Sequence, residues 1–505
     1  MQTSHDLAEL TLNSRLRDLV ADRGSDTFIV HDDGTSTTYA EFDSAANRMA
    51  RQLTKLDVQV GESVGVLSTT TLNILTLLYG IHRVGAVAAM VNPASIEREI
   101  AVVVRKSGAK LLIVDTESGL SIGESLPRVP GVKALTMVEF RAAAETLSPD
   151  ALTWTPSQDD PATMIFTSGT TAEPKAVVYT HGHQLHGAIN YIANMAVRSD
   201  DVYMHHFPIF HMNGLNQFGA ALHAGSQLLL VARFRSSTFD DLVDRFHPTV
   251  TFLNGTHIKM LHALDIALQV PSSLQRVGMS LQMGDDDYDW FEEKYHAVLV
   301  EGYGLTESVA MCLTNPLDGV RKRHSCGLPT GTYSIRIVDT DGADCPADSA
   351  GELWVKSSSP HGVMHGYAGD AHATKEALAG GWLHTGDIVY RDEDGYVFYV
   401  EREKDLIKRA GENISASEVR EIIEQLDGVE EAAVIGCPDT LREELPVAFV
   451  TLNEGATVTA EQVIEHCRAN LAAFKVPVEV RVVGSFPRTA VGKIERRTLQ
   501  TWLTD

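Results

Sequence analysis

Residues 163–175 read TMIFTSGTTAEPK, an apolar run followed by small hydroxyl residues, one glycine and a lysine. The apolar part, residues 163–166, predicts a buried β-strand. Hydroxyl groups, backbone amides that glycine leaves accessible and the cation of Lys175 are the donors that phosphate groups need. The stretch is not a Walker A loop, because that motif ends in Gly-Lys-Ser/Thr and here alanine follows the lysine. Residues 167–175 therefore predict a phosphate-binding loop, with a surface turn rich in serine and threonine as the alternative.

Short apolar runs and longer amphipathic runs alternate on both sides of this stretch. Strand patterns occur at residues 63–67, 86–91, 110–115, 163–166, 227–231, 249–253 and 298–301, helix patterns at 12–21, 72–82 and 97–106, and a hairpin pattern at 28–39. Strands separated by helices of this length pair in parallel through right-handed crossovers. We predict an α/β fold whose large N-terminal domain contains doubly wound, mostly parallel sheets.

From about residue 327 the pattern becomes rich in β-strands. Strands are predicted at 333–338 and 351–356, with a hairpin at 388–400 that turns at Asp394-Gly395. Beyond the charged run 401–405, strand patterns at 432–435 and 446–452 mix with helix patterns at 416–426 and 460–471. We predict an N-terminal domain at 1–401, with a small β-rich subdomain at about 327–401, and a small mobile α+β C-terminal domain at 402–505.

The composition indicates a globular chain and excludes several classes of protein. Of the 505 residues, 44% are hydrophobic, and we find no internal repeat. A formal net charge of −25 without a long basic run argues against binding to nucleic acid. The five cysteines form no CxxC pair, which argues against a zinc site or a disulfide framework. Residues 1–9 contain no hydrophobic signal core and no apolar stretch is long enough for a membrane span, so we expect a cytoplasmic protein.

Five further motifs follow the predicted loop. They are FPIFH at 207–211, GYGLTE at 302–307, GWLHTGD at 381–387, EREKD at 401–405 and PRTAVGK at 487–493. Together with residues 167–175, they resemble the motifs of the adenylate-forming superfamily, which contains acyl- and aryl-CoA synthetases, the adenylation domains of peptide synthetases and luciferases. The resemblance runs from about residue 12 to residue 499, which is nearly the whole chain.

The resemblance implies a two-step reaction. An oxyacid attacks the α-phosphorus of Mg-ATP, which releases pyrophosphate and leaves an enzyme-bound acyl-AMP. A nucleophile, most often the thiol of coenzyme A, then takes the acyl group. Because the acid and the triphosphate are both anionic, preorganised cations and donors must neutralise charge before they meet. The resemblance thus implies ATP, Mg²⁺ and coenzyme A as cofactors, and a small-molecule acid as the substrate.

The resemblance also assigns the nucleotide site. The implied ATP- and AMP-binding residues are Thr167, Ser168, Gly169, Thr170, Thr171, Lys175, Gly302, Tyr303, Thr306, Asp387, Arg402 and Lys493. Tyr303 would stack on adenine, and Asp387 would accept hydrogen bonds from the ribose with help from Arg402. Glu307 would ligate Mg²⁺, a cation that prefers oxygen ligands. Each of these residue types is usually structural when it stands alone, so the assignment depends on the complete set.

The resemblance implies catalytic roles and a hinge. The implied catalytic residues are Lys493, Thr306, Glu307 and His211. Lys493 would bridge the α-phosphate and the carboxylate, and Thr306 would contact the α-phosphate. Lys404 occupies the hinge about which the C-terminal domain rotates between an adenylating and a thioester-forming pose. Gly411 matches the glycine beside the pantetheine channel, with an ordinary turn glycine as the alternative.

Two stretches depart from the pattern of the superfamily. Ala172 and Ala176 stand where glycine is usual, and a methyl group restricts positive φ. Residues 281–287, LQMGDDD, are about two residues shorter and more acidic than the Gly-Gly-Ala-Pro strip of many relatives. We interpret the three aspartates at 285–287 as a helix N-terminus, where carboxylates complement the helix dipole.

The acyl pocket is expected to have several polar side chains in its wall. The implied pocket residues are His211, Asn213, Asn254, His257, Gln282, Met283 and Gly304. His211 followed by Met212-Asn213-Gly214 resembles the CoA-ligase version of this motif, in which the histidine lies near the carboxylate. An amino-acid adenylation domain would offer an aspartate here, so that alternative is disfavoured.

The leading hypothesis is an ATP-dependent, AMP-forming acyl- or aryl-CoA ligase. An alternative keeps the adenylate but changes its fate, through transfer to a carrier protein or an amine, or through activation of nitrite for diazotisation of an aryl amine. A third alternative, a silent nucleotide-binding or scaffold protein, is disfavoured because Lys493 and Glu307 are both present. The sequence predicts neither the acid nor the oligomeric state.

Overall fold

A computed structural model gives the fold of most of the chain. The described residues are 10–93, 95, 97–116, 129–167, 174–280, 283–402, 406–409, 412–439, 443–471, 475–488 and 494–503. The chain divides into two compact units, the first formed by Met1–Ile335 with Val355–Leu383 and the second by Arg336–Trp354 with His384–Asp505.

In the described residues, helices separate most of the strands up to Tyr303, and strands predominate between Leu313 and Ile414. The strands are β1 Thr27–His31, β2 Ser36–Thr38, β3 Ser63–Leu67, β4 Val87–Val91, β5 Leu111–Val114, β6 Lys133–Thr136, β7 Pro161–Thr167, β8 Lys175–Thr180, β9 Val202–His205, β10 Gln227–Leu230, β11 Val250–Asn254, β12 Arg276–Ser280, β13 Val298–Tyr303, β14 Leu313–Thr314, β15 Leu328–Pro329, β16 Tyr333–Val338, β17 Gly351–Ser357, β18 Gly366–Tyr367, β19 Leu383–Arg391, β20 Val397–Arg402, β21 Ile407–Arg409, β22 Glu412–Ile414, β23 Val429–Asp439, β24 Glu443–Leu452 and β25 Glu479–Val482. The α-helices are Leu12–Arg23, Tyr39–Lys55, Leu72–Val84, Glu97–Ser107, Met137–Glu145, His181–Met195, Met212–Ala224, Ser236–Phe246, Gly255–Leu264, Asp285–Tyr295, Ala371–Ala377, Ala416–Glu424, Ala460–Asn470 and Arg496–Trp502. None of the helices in the described ranges has the length and apolar character needed to cross a membrane.

The sheet that carries the predicted phosphate loop has seven strands in the order β18-β8-β7-β4-β3-β5-β6. Strands β3, β4 and β5 are buried at every residue, as apolar runs between crossover helices should be. The five strands from β7 to β6 pair in parallel, which confirms the predicted crossover architecture. At the other edge, β8 runs antiparallel to β7, and β18 runs antiparallel to β8. No sequence pattern predicted this antiparallel edge.

The second large sheet has nine strands in the order β15-β14-β13-β12-β11-β9-β10-β1-β2. Its central strands, from β13 to β1, are parallel. The carboxyl ends of β9, β10, β11, β12 and β13 therefore lie along one edge, where ligands bind in open α/β sheets. Antiparallel strands β2, β14 and β15 flank this parallel centre.

The helices His181–Met195 and Met212–Ala224 of the first unit pack closely against each other. A Cβ atom at Gly187 would lie 2.2 Å from the side-chain oxygen of Asn216, so only glycine allows this approach. Thr180 begins the first of these helices, because its side chain accepts a hydrogen bond from the backbone N–H of His183. Gly225 ends the second with a φ of 74°.

The second unit contains the C-terminal α+β fold. Strands β22, β21, β24 and β23 form a sheet in that order, and β25 pairs with β24. The helices Ala416–Glu424 and Ala460–Asn470 supply Val419, Ile423 and Val463 to its buried core. The other sheet has the order β16-β17-β19-β20, and β19 and β20 form the predicted hairpin. The predicted fold class is confirmed, and the boundary between residues 401 and 402 stays a prediction.

Candidate active site

Strands β7 and β8 flank the predicted phosphate loop in the sequence and pair with each other. Thr167 and Lys175 are register partners at the ends of these strands, and the Thr167 hydroxyl lies 3.5 Å from the carbonyl oxygen of Lys175. Lys106 Nζ donates to the carbonyl of Pro174 at 3.0 Å, which adds a cation at the base of the loop that the sequence analysis missed. The hairpin thus holds both ends of the loop together. Four predicted residues, Ser168, Gly169, Thr170 and Thr171, and also Ala172, lie outside the described residues.

Lys175 and Glu307 come close to the same tyrosine. The ammonium of Lys175 lies 4.7 Å from the centre of the Tyr367 ring. The Tyr367 hydroxyl donates to Glu307 Oε1 at 2.8 Å. The structure therefore brings together a predicted phosphate-binding cation and the predicted Mg²⁺ ligand, and it adds Tyr367, which the sequence analysis did not identify. A tyrosine next to a glycine carried no signal that could have indicated this contact.

Thr306 and Glu307 lie in a short 3-10 turn, Thr306–Ser308, whose backbone is held by side chains. The Tyr179 hydroxyl donates to the carbonyl of Thr306 at 2.6 Å. Burial, together with the nearby carboxylate of Glu307, raises the pKa of Tyr179 well above its usual value, so Tyr179 stays a donor. Val309, which directly follows the turn, has a φ of 65°, a backbone region that β-branched residues avoid.

Gly302 and Gly304 flank Tyr303 where β13 ends, and both positions require glycine. A Cβ atom at Gly302 would lie 2.8 Å from the carbonyl oxygen of Leu313, and one at Gly304 would lie 2.6 Å from the carbonyl oxygen of Ala310. Tyr303 itself is only half-buried and lies at the carboxyl edge of the parallel strands. This placement is consistent with the predicted contact of Tyr303 with a nucleotide base.

His211 and Asn213 lie at the start of the helix Met212–Ala224. His211 is the N-cap residue, and its side chain makes no capping hydrogen bond. Its ring centre lies 4.6 Å from that of Phe210. Among the described residues, Asn213 Oδ1 is buried and has no hydrogen-bond partner. Both predicted pocket residues therefore lie at the amino end of a helix that follows β9, and neither forms a side-chain cap for it.

Asn254 and His257 have a structural role in the start of the helix Gly255–Leu264. Asn254 Oδ1 accepts a hydrogen bond from the backbone N–H of His257 at 2.8 Å, so the two residues form a capping box. Met283 is buried in the hydrophobic core beside residues such as Leu253 and Tyr288. Gln282 lies outside the described residues. The structure gives the described members of this group packing and capping contacts, and their predicted place in the pocket wall stays a prediction.

The ring of His257 belongs to an aromatic wall that the sequence analysis largely missed. The members of this aromatic wall are His206, Phe207, Phe234, Phe252 and His257. Phe252 lies within β11, and the other four follow the strands β9, β10 and β11. His257 stacks on Phe234 at 4.0 Å between ring centres, and His206 lies 5.4 Å from His257. Burial lowers the pKa of His257 to about 4, and burial with the neighbouring His257 lowers the pKa of His206 well below its usual value. The aromatic wall is therefore uncharged at neutral pH.

Residues 284–287, called the acidic strip below, form the start of the helix Asp285–Tyr295. Gly284 is its N-cap residue, and Asp285, Asp286 and Asp287 are its first three residues. The Asp287 carboxylate contacts His262 Nδ1 at 2.7 Å. The interpretation of the three aspartates as a helix N-terminus is confirmed.

Of the predicted residues in the second unit, Asp387 and the backbone of Arg402 are described, and both lie on the β19–β20 hairpin. Asp387 on β19 is the register partner of Arg402 on β20, and Asp387 is only 2% exposed. The backbone N–H of Asp387 donates to the Thr385 hydroxyl at 3.1 Å. Gly386 has a φ of 65°, and its N–H donates to Glu352 Oε1 at 3.0 Å, so the turn before Asp387 is fixed. The Arg402 side chain, Lys404, Gly411 and Lys493 lie outside the described residues.

The chain matches two family models that together cover most of its length. Residues 16–368 match the model of the AMP-binding enzyme, and residues 418–493 match that of the AMP-binding enzyme C-terminal domain. A crotonobetaine/carnitine–CoA ligase of Salmonella heidelberg strain SL476 is 32% identical over 486 residues, which cover 92% of this chain and 93% of that protein.

Solved structures with bound nucleotide share the fold. ATP-bound MatB from Rhodopseudomonas palustris has a TM-score of 0.86 at 27% identity, over 98% of this chain and 99% of that one. The o-succinylbenzoate CoA synthetase of Bacillus subtilis, in complex with ATP and magnesium ion, has a TM-score of 0.86 at 25% identity, over 97% and 99% of the two chains. The same synthetase in complex with its acyl-adenylate intermediate has a TM-score of 0.85 at 26% identity, over 96% and 97%.

Proposed function

Because the chain belongs to the family of AMP-binding enzymes, we propose that it is an ATP-dependent, AMP-forming acid–thiol ligase. It activates a small carboxylic acid as an acyl-adenylate, releases pyrophosphate and transfers the acyl group to coenzyme A. The arrangement of Lys175, Tyr367 and Glu307 carries this proposal. It offers a cation and a carboxylate beside a hairpin loop rich in hydroxyl groups.

The donor set around Glu307 suits magnesium that arrives with ATP. Magnesium usually keeps several waters and binds one or two carboxylates together with substrate phosphates. Glu307 supplies one carboxylate, and the described part of the chain has no group of three or more metal-ligating side chains. When bound, the ion would neutralise phosphate charge during the attack on the α-phosphorus. Glu307 would hold it from the protein side.

The remaining nucleotide contacts are proposed on the resemblance together with local geometry. Thr306 is directed to the α-phosphate from a turn that Tyr179 fixes. Tyr303 stacks on the adenine, and Asp387, whose turn is fixed, accepts hydrogen bonds from the ribose hydroxyls with help from Arg402. Lys493 bridges the α-phosphate and the acid carboxylate, because two anionic reactants need a cation between them.

The second half-reaction is proposed on the same family relation. Lys404 serves as the hinge of the C-terminal domain, and Gly411 lies beside the channel for the pantetheine arm of coenzyme A. His211 lies near the carboxylate of the acid, at the amino end of the helix Met212–Ala224.

The acid is proposed to be a monocarboxylate whose tail bears no negative charge. The aromatic wall is neutral at pH 7, since His206 and His257 both have lowered pKa values. Its rings can contact an aryl or alkyl tail, and aromatic faces also attract quaternary ammonium groups. They cannot neutralise a second carboxylate, which would lose its hydration without gaining a partner.

One assay tests both halves of the reaction and the proposed class of acid. The protein is incubated with Mg-ATP, coenzyme A and, in turn, benzoate, butyrate, carnitine and succinate, and pyrophosphate and thioester are measured separately. Acid-dependent pyrophosphate release with thioester formation is expected for monocarboxylates, and succinate is expected to be at least about tenfold poorer. Pyrophosphate release without a thioester would overturn coenzyme A as the acceptor. A preference for succinate would overturn the assignment of the tail.

A further inference from the structure

Backbone hydrogen bonds fix the position of Tyr367 relative to the β7–β8 hairpin. Tyr367 belongs to β18, where it is the register partner of Val177 on β8, two residues beyond Lys175. The N–H of Ala368 donates to the carbonyl of Ala176 at 2.8 Å, and the N–H of Tyr367 donates to the Thr374 hydroxyl at 2.9 Å. The strand that begins with Lys175 is therefore hydrogen-bonded directly to the segment that carries Tyr367.

The backbone of Glu307 is also fixed, from both sides. Its carbonyl accepts a hydrogen bond from the N–H of Met364 at 2.8 Å, three residues before Tyr367. Asn216 Nδ2 donates to the carbonyl of Val309 at 2.7 Å and so supports the unfavourable φ of that residue. Only the side-chain torsions of Glu307 remain to be set, because the surrounding structure already determines its backbone.

The side chain of Tyr367 contacts both charged groups. Its hydroxyl donates to Oε1 of Glu307, which fixes that carboxylate and leaves Oε2 for another partner. Its ring face lies 4.7 Å from the ammonium of Lys175. Within the described part of the chain, Lys175 and Glu307 form no ion pair with each other. Direct pairing would neutralise the two charges that Mg-ATP requires, and Tyr367 gives each of them a different contact.

We propose that Tyr367 is a positioning residue for the nucleotide site: its hydroxyl orients Glu307 toward the metal, and its ring holds Lys175 toward the phosphates. The inference rests on the proposed function, since it assigns Tyr367 a role in binding Mg-ATP. The hydroxyl and the ring of Tyr367 are expected to contribute separately to nucleotide binding. Loss of the hydroxyl affects the metal-dependent part of nucleotide binding, and loss of the ring also affects the metal-independent part.

Two variants and a matched control test this inference. Tyr367→Phe removes the hydroxyl and keeps the ring, and Tyr367→Leu removes both. Tyr295→Phe is the control, because the Tyr295 hydroxyl also donates to a carboxylate, that of Asp240, between the helices Ser236–Phe246 and Asp285–Tyr295. The affinity for ATP is measured by calorimetry for each protein, once with EDTA and once with excess Mg²⁺, and thermal unfolding checks that each variant is folded.

For Tyr367→Phe, we expect ATP affinity in EDTA within about twofold of wild type, and an about 5- to 10-fold smaller gain on adding Mg²⁺. Tyr367→Leu is expected to lose affinity in both conditions, and Tyr295→Phe in neither. The inference is overturned if Tyr367→Phe gains as much affinity from Mg²⁺ as wild type, or if the control loses as much as Tyr367→Phe. A wild-type protein that binds no ATP would instead overturn the proposed function, and the role of Tyr367 with it.

Discussion

The turn Thr306–Ser308 and the aromatic wall both follow parallel strands of the nine-stranded sheet, but they are built differently. The turn is held by directed hydrogen bonds from Tyr179, Tyr367 and Asn216, the last through the carbonyl of Val309. The aromatic wall is held by ring stacking and by the capping box at the start of the helix Gly255–Leu264. In the turn, individual hydrogen bonds fix the positions of single polar atoms. In the aromatic wall, the packing of whole rings determines the shape.

The difference matches the two kinds of ligand that the proposed reaction brings together. Triphosphate and metal are highly charged, so a small error in the position of Glu307 or Lys175 costs much electrostatic stabilisation. An uncharged acyl tail is bound through contact area, and a change of one methylene group costs only about 1–3 kcal/mol. Substitutions in the turn should therefore affect catalysis strongly, and substitutions in the wall should affect selectivity and pH response.

The largest effect is expected for Glu307→Gln. The amide keeps the shape of the side chain but cannot act as an anionic metal ligand, so adenylation should fall by about 10²- to 10³-fold. Acid-dependent exchange between pyrophosphate and ATP measures this step. Glu292→Gln, which alters a partly exposed carboxylate paired with Arg323 at 2.8 Å, is the control and should stay within about twofold of wild type. A loss below about fivefold in Glu307→Gln would contradict the role given to the turn.

A smaller effect is expected for Asn216→Ala. The carbonyl of Val309 would lose its donor at 2.7 Å, and the unfavourable φ of Val309 would lose support. We expect adenylation to fall about tenfold and the free energy of unfolding to fall by about 1–3 kcal/mol.

The control for this variant is Asn190→Ala. Asn190 Nδ2 donates to the Thr330 hydroxyl at 3.2 Å, from the neighbouring helix His181–Met195. It should lose comparable stability and retain adenylation, as judged by chemical denaturation and pyrophosphate exchange. Equal losses of adenylation in the two variants would mean that Asn216 acts only through stability.

The sequence predicts the parallel strands well because their burial is visible in the order of residues. Residues 63–67 form a strand with the predicted bounds. A short apolar run between polar turns is typical of a buried parallel strand in an α/β fold. The antiparallel strand β8 was missed because it begins with Lys175, which the motif had assigned to a loop. The order of residues gives no sign that this lysine is both the end of the loop and the start of a strand.

Residues of the candidate site can be predicted from the sequence only where they lie in a recognisable motif. Glu307 and Lys175 were identified from the motifs, but Tyr367 lies 60 residues from Glu307 and reaches it only through the pairing of β18 with β8. The aromatic wall likewise brings together rings that lie within or after three different strands. Such contacts depend on tertiary structure, so single-sequence patterns do not contain them.

A pH effect is expected on the aromatic wall. His257 has a pKa of about 4 in the folded protein and would take up a proton near pH 6.5 when unfolded. Between these values the unfolded state binds more protons, so the stability that neutral His257 contributes is complete above pH 6.5 and is lost as the pH falls toward 4.

The variant His257→Phe keeps the ring and removes this titration. As the pH falls from 6.5 to 4, the unfolding free energy of the variant should improve relative to wild type by up to about 1.4 kcal/mol per pH unit. Thermal unfolding at several pH values measures the trend. His372→Gln, which alters a histidine whose side chain is 84% exposed, should follow wild type. A constant difference between His257→Phe and wild type would contradict the neutral, buried state of His257.

The smallest effect is expected for Asp286→Asn in the acidic strip. Asp286 is exposed in the first turn of the helix Asp285–Tyr295, where its charge interacts with the helix dipole. Losing that charge should lower stability by about 0.3–1 kcal/mol and leave pyrophosphate exchange within about twofold of wild type. Glu461→Gln, in the first turn of the helix Ala460–Asn470, offers the same change in the second unit. A loss of adenylation above about fivefold in Asp286→Asn alone would place the strip in the charge-sensitive part of the site, with the turn Thr306–Ser308, because a helix-dipole contact by itself cannot alter the chemistry of a bound nucleotide.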